Sequence, residues 1–102
     1  MIVQIVRFRS GLSDEEVRKT YESRAPRYRA LKGLQQKYYL RFPETEEHGA
    51  VYLWDSEESL RRFRESELAR TIPEAYRVRG TPDIRLAEVV MTLRTDLPPQ
   101  AD

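Results

Sequence analysis

Leu34-Gln35-Gln36-Lys37-Tyr38-Tyr39-Leu40-Arg41-Phe42 and Ala50-Val51-Tyr52-Leu53-Trp54, joined by Pro43-Glu44-Thr45-Glu46-Glu47-His48-Gly49, read as two strands around a polar hairpin loop. Alternation with a period of two puts Leu34, Tyr38, Leu40 and Phe42 on the more apolar face of the first strand. Gln35, Lys37, Tyr39 and Arg41 fall on the opposite face, so Tyr39 is expected to point away from the core. Upstream, Ser13-Asp14-Glu15-Glu16 has the spacing of a capping box and opens a helix whose buried stripe is Val17, Tyr21, Ala25 and Tyr28. Pro26 lacks a donor and crowds the preceding turn. A break is therefore expected near Ser23 and Arg24, with a second helical piece from Pro26 to Leu31 and Gly33 as the C-terminal cap. Downstream, Asp55-Ser56-Glu57-Glu58 opens a second helix with Leu60, Phe63 and Leu68 inside, and Ile72-Pro73-Glu74-Ala75-Tyr76 adds a short helical turn. Ile2–Phe8 is a first strand, Gly80-Thr81-Pro82 a turn, and Ile84–Leu93 a long last strand.

The order is β-α-β-β-α-β, a ferredoxin-like α+β arrangement. Two helices cover one face of such a sheet. The other face would alternate cleanly with polar residues if water covered it. The first, third and last strands are instead apolar on both sides, so the free face needs a partner, and a second copy of the chain is the simplest one. With 102 residues, 39% hydrophobic and 34% charged, the chain fits one domain over residues 1–95 and a flexible tail over 96–102. No apolar run approaches membrane-spanning length, and the N-terminus has no basic region ahead of its apolar residues, so a cytoplasmic location is expected. The absence of cysteine removes disulfides and thiolate chemistry, and a single histidine removes a multi-histidine metal centre. A net charge of +1 gives no electrostatic reason to expect nucleic acid. The RNA-recognition domains share this element order, and His48–Trp54 faintly echoes their third strand, but the first strand offers only Phe8 at its end.

Two stretches carry a resemblance. Ala25-Pro26-Arg27-Tyr28-Arg29-Ala30-Leu31-Lys32-Gly33-Leu34-Gln35-Gln36-Lys37-Tyr38-Tyr39-Leu40 is similar to the helix-to-strand junction of the YdhR-type mono-oxygenase family. Gly49-Ala50-Val51-Tyr52-Leu53-Trp54-Asp55-Ser56-Glu57-Glu58-Ser59-Leu60 resembles the following strand and helix start. That family belongs to the dimeric α+β-barrel superfamily. The resemblance implies a homodimer whose sheets face each other, and a pocket in each subunit between sheet and helices. It also implies oxygenation of phenolic substrates with no cofactor and no metal. Haem-degrading relatives use an asparagine–tryptophan–histidine set, and the phenolic oxygenases also rely on an asparagine. This chain contains no asparagine, so Trp54 has no such partner and haem degradation is disfavoured.

Cofactor-free oxygenation needs a desolvating aromatic pocket, a few hydrogen-bond donors and one base. Tyr38, Tyr52, Trp54, Phe63 and Tyr76 are the candidate substrate-pocket residues, and Tyr52 and Trp54 share a face of their strand. Tyr52, Trp54 and His48 are the candidate catalytic groups. His48 is the chain's one imidazole, but its neighbours Glu46, Glu47 and Gly49 place it at a hairpin tip. Strand aromatics are also ordinary core residues, which is the competing reading for each of them. The four glycines are too far apart for a phosphate loop, and no serine sits in a nucleophile-elbow pattern. Two functions follow: a cofactor-independent mono-oxygenase acting on a small aromatic or phenolic compound, or a non-catalytic small-molecule-binding or structural homodimer of the same fold.

Overall fold

The computed structural model describes residues 1–95; the expected tail, 96–102, lies outside the described residues. The elements are β1 (Ile2–Ser10), α1 (Asp14–Arg29), β2 (Leu34–Phe42), β3 (Glu47–Trp54), α2 (Glu57–Arg64), α3 (Glu67–Arg70), α4 (Ile72–Ala75) and β4 (Val78–Glu88). The strands form one antiparallel sheet in the order β2-β3-β1-β4, the ferredoxin-like topology. Among the described residues, no helix is long and apolar enough to cross a membrane.

The helix starts follow local chemistry. The Ser13 hydroxyl accepts from the Glu16 amide at 3.2 Å, and the Ser13 amide donates to Glu16 Oε1 at 2.9 Å. Ser56 and Ser66 cap α2 and α3 on one side only, each hydroxyl accepting from a backbone amide, that of Ser59 and that of Ala69. Pro26 does not break α1, which runs unbroken across it to Arg29. The missing amide lies in the last turn, and tertiary contacts hold both sides of it. Tyr28 is buried in the core, and the buried Arg24 donates from Nη2 to the Leu68 carbonyl at 2.8 Å and to Thr71 Oγ1 at 3.2 Å. The buried stripe is accordingly Val17, Arg24 and Tyr28, with Tyr21 and Ala25 only half-buried.

Three strand boundaries differ from expectation. The hairpin loop is shorter, Pro43–Glu46, because Glu46 turns the chain at φ 56 and pairing begins at Glu47. β4 starts at Val78, ahead of the expected turn. Gly80-Thr81-Pro82 sits inside it, at an irregularity in the β1 pairing between Arg7 and Arg9. β4 ends at Glu88, and Val90, Met91 and Leu93 lie beyond it, exposed.

The first of these, the shorter hairpin loop, reverses β2. A loop over Pro43–Gly49 would oppose Phe42 to Ala50 and so put Tyr38 beside Trp54. The observed loop opposes Phe42 to Glu47, which sets Lys37 opposite Tyr52 and Tyr39 opposite Ala50. Lys37 and Tyr39 therefore face the helices, and Tyr38 faces away, 46% exposed. A bulge between Leu34 and Gln36 restores Leu34 to the helix side, against the core.

The core joins Tyr28, Ala50, Tyr52, Trp54, Leu60, Phe63 and Leu68, with Ile2, Val6 and Leu34 packed against it. Trp54 has no exposed surface, and its indole N–H donates to Gln4 Oε1 at 3.0 Å, so the ring is buried without stranding a donor. The far side of the sheet carries Val3, Ile5, Val51, Leu53 and Tyr38 in the β1–β3–β2 pairing. Among the described residues no element covers them, and Ile5 is 40% exposed.

Candidate functional site

A cavity of about 330 Å³ lies between the helix-side face of the sheet and the helices. Each strand supplies side chains at alternate positions: Gln4, Val6 and Phe8 from β1, Lys37 and Tyr39 from β2, His48, Ala50 and Tyr52 from β3, and Val78, Pro82 and Ile84 from β4. The roof comes from Val17, Tyr21 and Tyr28 of α1, Phe63 and Arg64 of α2, and Ile72 and Tyr76 at the α4 end. The wall is chiefly aromatic. Phe63 lies against Tyr28 and Tyr52 with centroids 5.8 and 5.6 Å apart, and Phe8 meets the edge of Tyr76 at 5.5 Å. Besides the tyrosines, its ionisable side chains are Lys37, Arg64, Arg70 and His48, with no Asp or Glu.

Lys37 is the unusual group. Its Nζ stands 3.4 Å from the Tyr28 ring centroid, 4.4 Å from that of Tyr39 and 4.5 Å from that of Tyr52. Ring faces attract a cation but hydrate it poorly. Among the described residues no carboxylate pairs with it. Burial, with the nearby Arg24 guanidinium adding to it, brings its pKa down from 10.5 to about 7. Burial acts in the opposite sense on the phenols. It raises Tyr52 well above its usual range, with the Tyr28 phenol adding to the shift, and it raises Tyr76 as well. Both remain neutral O–H donors at ordinary pH. Tyr28 Oη is buried beside Tyr52 with no partner in hydrogen-bonding geometry.

His48 is not at a loop tip. It lies in β3, buried, and its Nε2 is 3.1 Å from Asp14 Oδ1. Arg41 Nε donates to the other oxygen of Asp14 at 2.9 Å. A neutral imidazole donating from Nε2 to Asp14 keeps its lone pair on Nδ1, which is buried and without a partner. His48 also borders a second, shallower cleft with Asp14, Arg18 and Tyr21. Among the described residues no group of three His, Asp or Glu side chains could hold a metal ion.

The sheet order, the single helical layer and a cavity beneath it can be compared with solved structures. SnoaB, a cofactor-independent oxygenase from Streptomyces nogalater, superposes with a TM-score of 0.73 at 17% identity, over 90% of this chain and 95% of that one. An antibiotic biosynthesis monooxygenase gives 0.71 at 11%, over 89% and 100%. A dimeric ferredoxin-like protein of unknown function from Thermobifida fusca gives 0.69 at 13%, over 86% and 90%. The chain has the fold of the antibiotic biosynthesis monooxygenases. No family model matches it, and no curated protein matches it. At these identities the likeness is one of fold.

Within this fold, Tyr52, Phe63, Tyr76 and His48 border the cavity. Trp54 does not. It is stacked behind Tyr52, with centroids 5.8 Å apart and planes 8° from parallel, and belongs to the core. Tyr38 does not either, since it lies on the opposite face of the sheet. Sequence reasoning missed Lys37, Tyr39, Tyr21 and Tyr28 as cavity residues. The signal for the first two was present: counting pairs outward from a tight Pro43–Glu46 turn places Lys37 and Tyr39 opposite Tyr52 and Ala50. The helical spacing of Tyr21 and Tyr28 marks them for helix packing, which they also do. Tyr21 stacks on Tyr39 at 4.4 Å.

Proposed function

We propose that the protein is a cofactor-independent mono-oxygenase acting on a small aromatic or phenolic compound, working in the cytoplasm as a homodimer of the YdhR type. The observation that carries this reading is the aromatic cavity on the helix side of the sheet. Its rings would stack on a planar substrate and exclude water, and the Tyr52 and Tyr76 hydroxyls would donate to its oxygens. The fold shared with SnoaB, a cofactor-independent oxygenase, supports the same chemistry. The uncovered apolar face and the dimeric Thermobifida fusca protein of the same fold support the dimer.

The test is oxygen consumption by the purified chain with a panel of hydroquinones and anthrones. Uptake above the buffer rate, with a hydroxylated or quinone product by mass spectrometry, is the expected result; none across the panel would overturn it. The absence of asparagine favours a second reading, a non-catalytic small-molecule-binding dimer. Tight binding of panel members with no product would select it.

A further inference from the structure

We propose that Lys37 is the base that ionises the substrate, and that the substrate is an aromatic ring with an acidic hydroxyl, bound as its phenolate against Nζ. The reaction that follows rests on the oxygenase reading; the binding step does not.

The geometry argues for the ligand's charge first. Nζ is held among the faces of Tyr28, Tyr39 and Tyr52, and among the described residues no carboxylate balances it. The charged groups lining the cavity are basic, and Arg24 lies close enough to depress the amine further. Buried charge of one sign with no counterion is costly unless a ligand supplies the partner. The rings define the rest of that ligand, a flat apolar body. An ionised phenol combines both properties.

The proton step is balanced without another reactant. The neutral amine's lone pair takes the hydroxyl proton. The O–H bond breaks, an N–H bond forms, and the electron pair stays on the phenolate oxygen. An amine lowered to about 7 is half in the proton-accepting form near neutrality. The ionised ring is the electron-rich form that reacts with dioxygen. The ammonium stays beside the oxygen as its counterion.

Several groups could share this titration. Tyr21 and Tyr28 face the cavity from α1, with Arg24 nearby on the same helix, Tyr39 from β2, Tyr52 and His48 from β3, Arg64 from α2, Arg70 from α3, and Tyr76 from the turn before β4. Burial holds Tyr52 and Tyr76 neutral, and Tyr28 and Tyr39 present their ring faces to Nζ. The arginines stay protonated and cannot accept a proton. That leaves His48 as the competing base.

The test uses the whole chain with para-nitrophenol, whose phenolate has its own visible band. Slightly below neutral pH, bound probe should show that band with wild type and with Lys37→Arg, which keeps the charge. It should be lost or reduced at least tenfold with Lys37→Met. Wild-type affinity should fall on the alkaline side, where amine and phenol have both lost their protons; Lys37→Arg affinity should stay level there. A band that survives Lys37→Met, or one that survives it and disappears in His48→Phe, overturns the assignment. The alkaline decline needs no variant, so wild-type affinity that stays level there also overturns it. Phenolate binding without oxygen uptake leaves the lysine assignment standing and removes the oxygenase reading. Oxygen uptake unchanged in Lys37→Met does the reverse.

Discussion

Lys37 affects the stability of the fold as well as the chemistry of its cavity. Its pKa is 10.5 in an ordinary setting and about 7 here. Between those values the unfolded chain holds a proton that the folded chain has released. Stability therefore rises with pH across that window, and the whole cost is carried below it. At about 1.4 kcal/mol per pH unit the shift sets a ceiling of roughly 5 kcal/mol, reduced by whatever the ring faces return. Lys37→Met should melt higher than the parent at slightly acid pH, and the gap should close toward pH 10.5. Thermal melts across that range check the sign, and a gap that does not vary with pH would count against a buried, depressed amine. Residue-type reasoning passed over this group because a lysine on a strand ordinarily marks the wet face. Here pairing outranks type.

At the scale of elements, the segment between α1 and β2 is held to the start of α2. Gly33 adopts φ +90, its carbonyl accepts from the Asp55 amide at 2.9 Å, and a Cβ there would run into the Ser59 side chain. Gly33→Ala should cost about 2–4 kcal/mol in urea unfolding, from the left-handed conformation and the collision together. A loss below about half a kcal/mol would mean that the junction yields easily. The order of elements, both main helix starts and the inner stripe Leu60, Phe63 and Leu68 were legible from capping and periodicity. The contents of the cavity were less so. Two local irregularities decide them, a hairpin loop ending at Glu46 and a bulge at Gln35, and neither has a strong residue signature. A strand has a period of two, so an odd error in loop length exchanges its faces entirely. That is why Tyr38 and Tyr39 changed places. Pro26 misleads for a related reason: propensity judges one turn of helix, whereas Arg24 and Tyr28 anchor that turn to residues distant in sequence.

For the whole molecule, the unpaired face of the sheet sets the expected assembly. Val3, Ile5, Val51, Leu53 and Tyr38 form one apolar surface that the chain's own helices do not reach. If two copies meet there, sedimentation at micromolar concentration should give twice the chain mass. Ile5→Glu should then give a less stable monomer, since a charge would have to be buried at the centre of the contact. A well-folded wild-type monomer would rule that assembly out. The helix-side cavity lies across the sheet from this surface, and the only tryptophan in the chain sits behind the cavity wall. Trp54 is shielded from water, hydrogen-bonded to Gln4 and stacked on Tyr52, which borders the cavity. Its emission should be blue-shifted and single-component at rest. A quinonoid or nitroaromatic guest on the far side of Tyr52 would lie close enough to quench it. The protein thus carries an optical reporter one ring away from its ligand, and occupancy can be followed without a label, a tag or turnover.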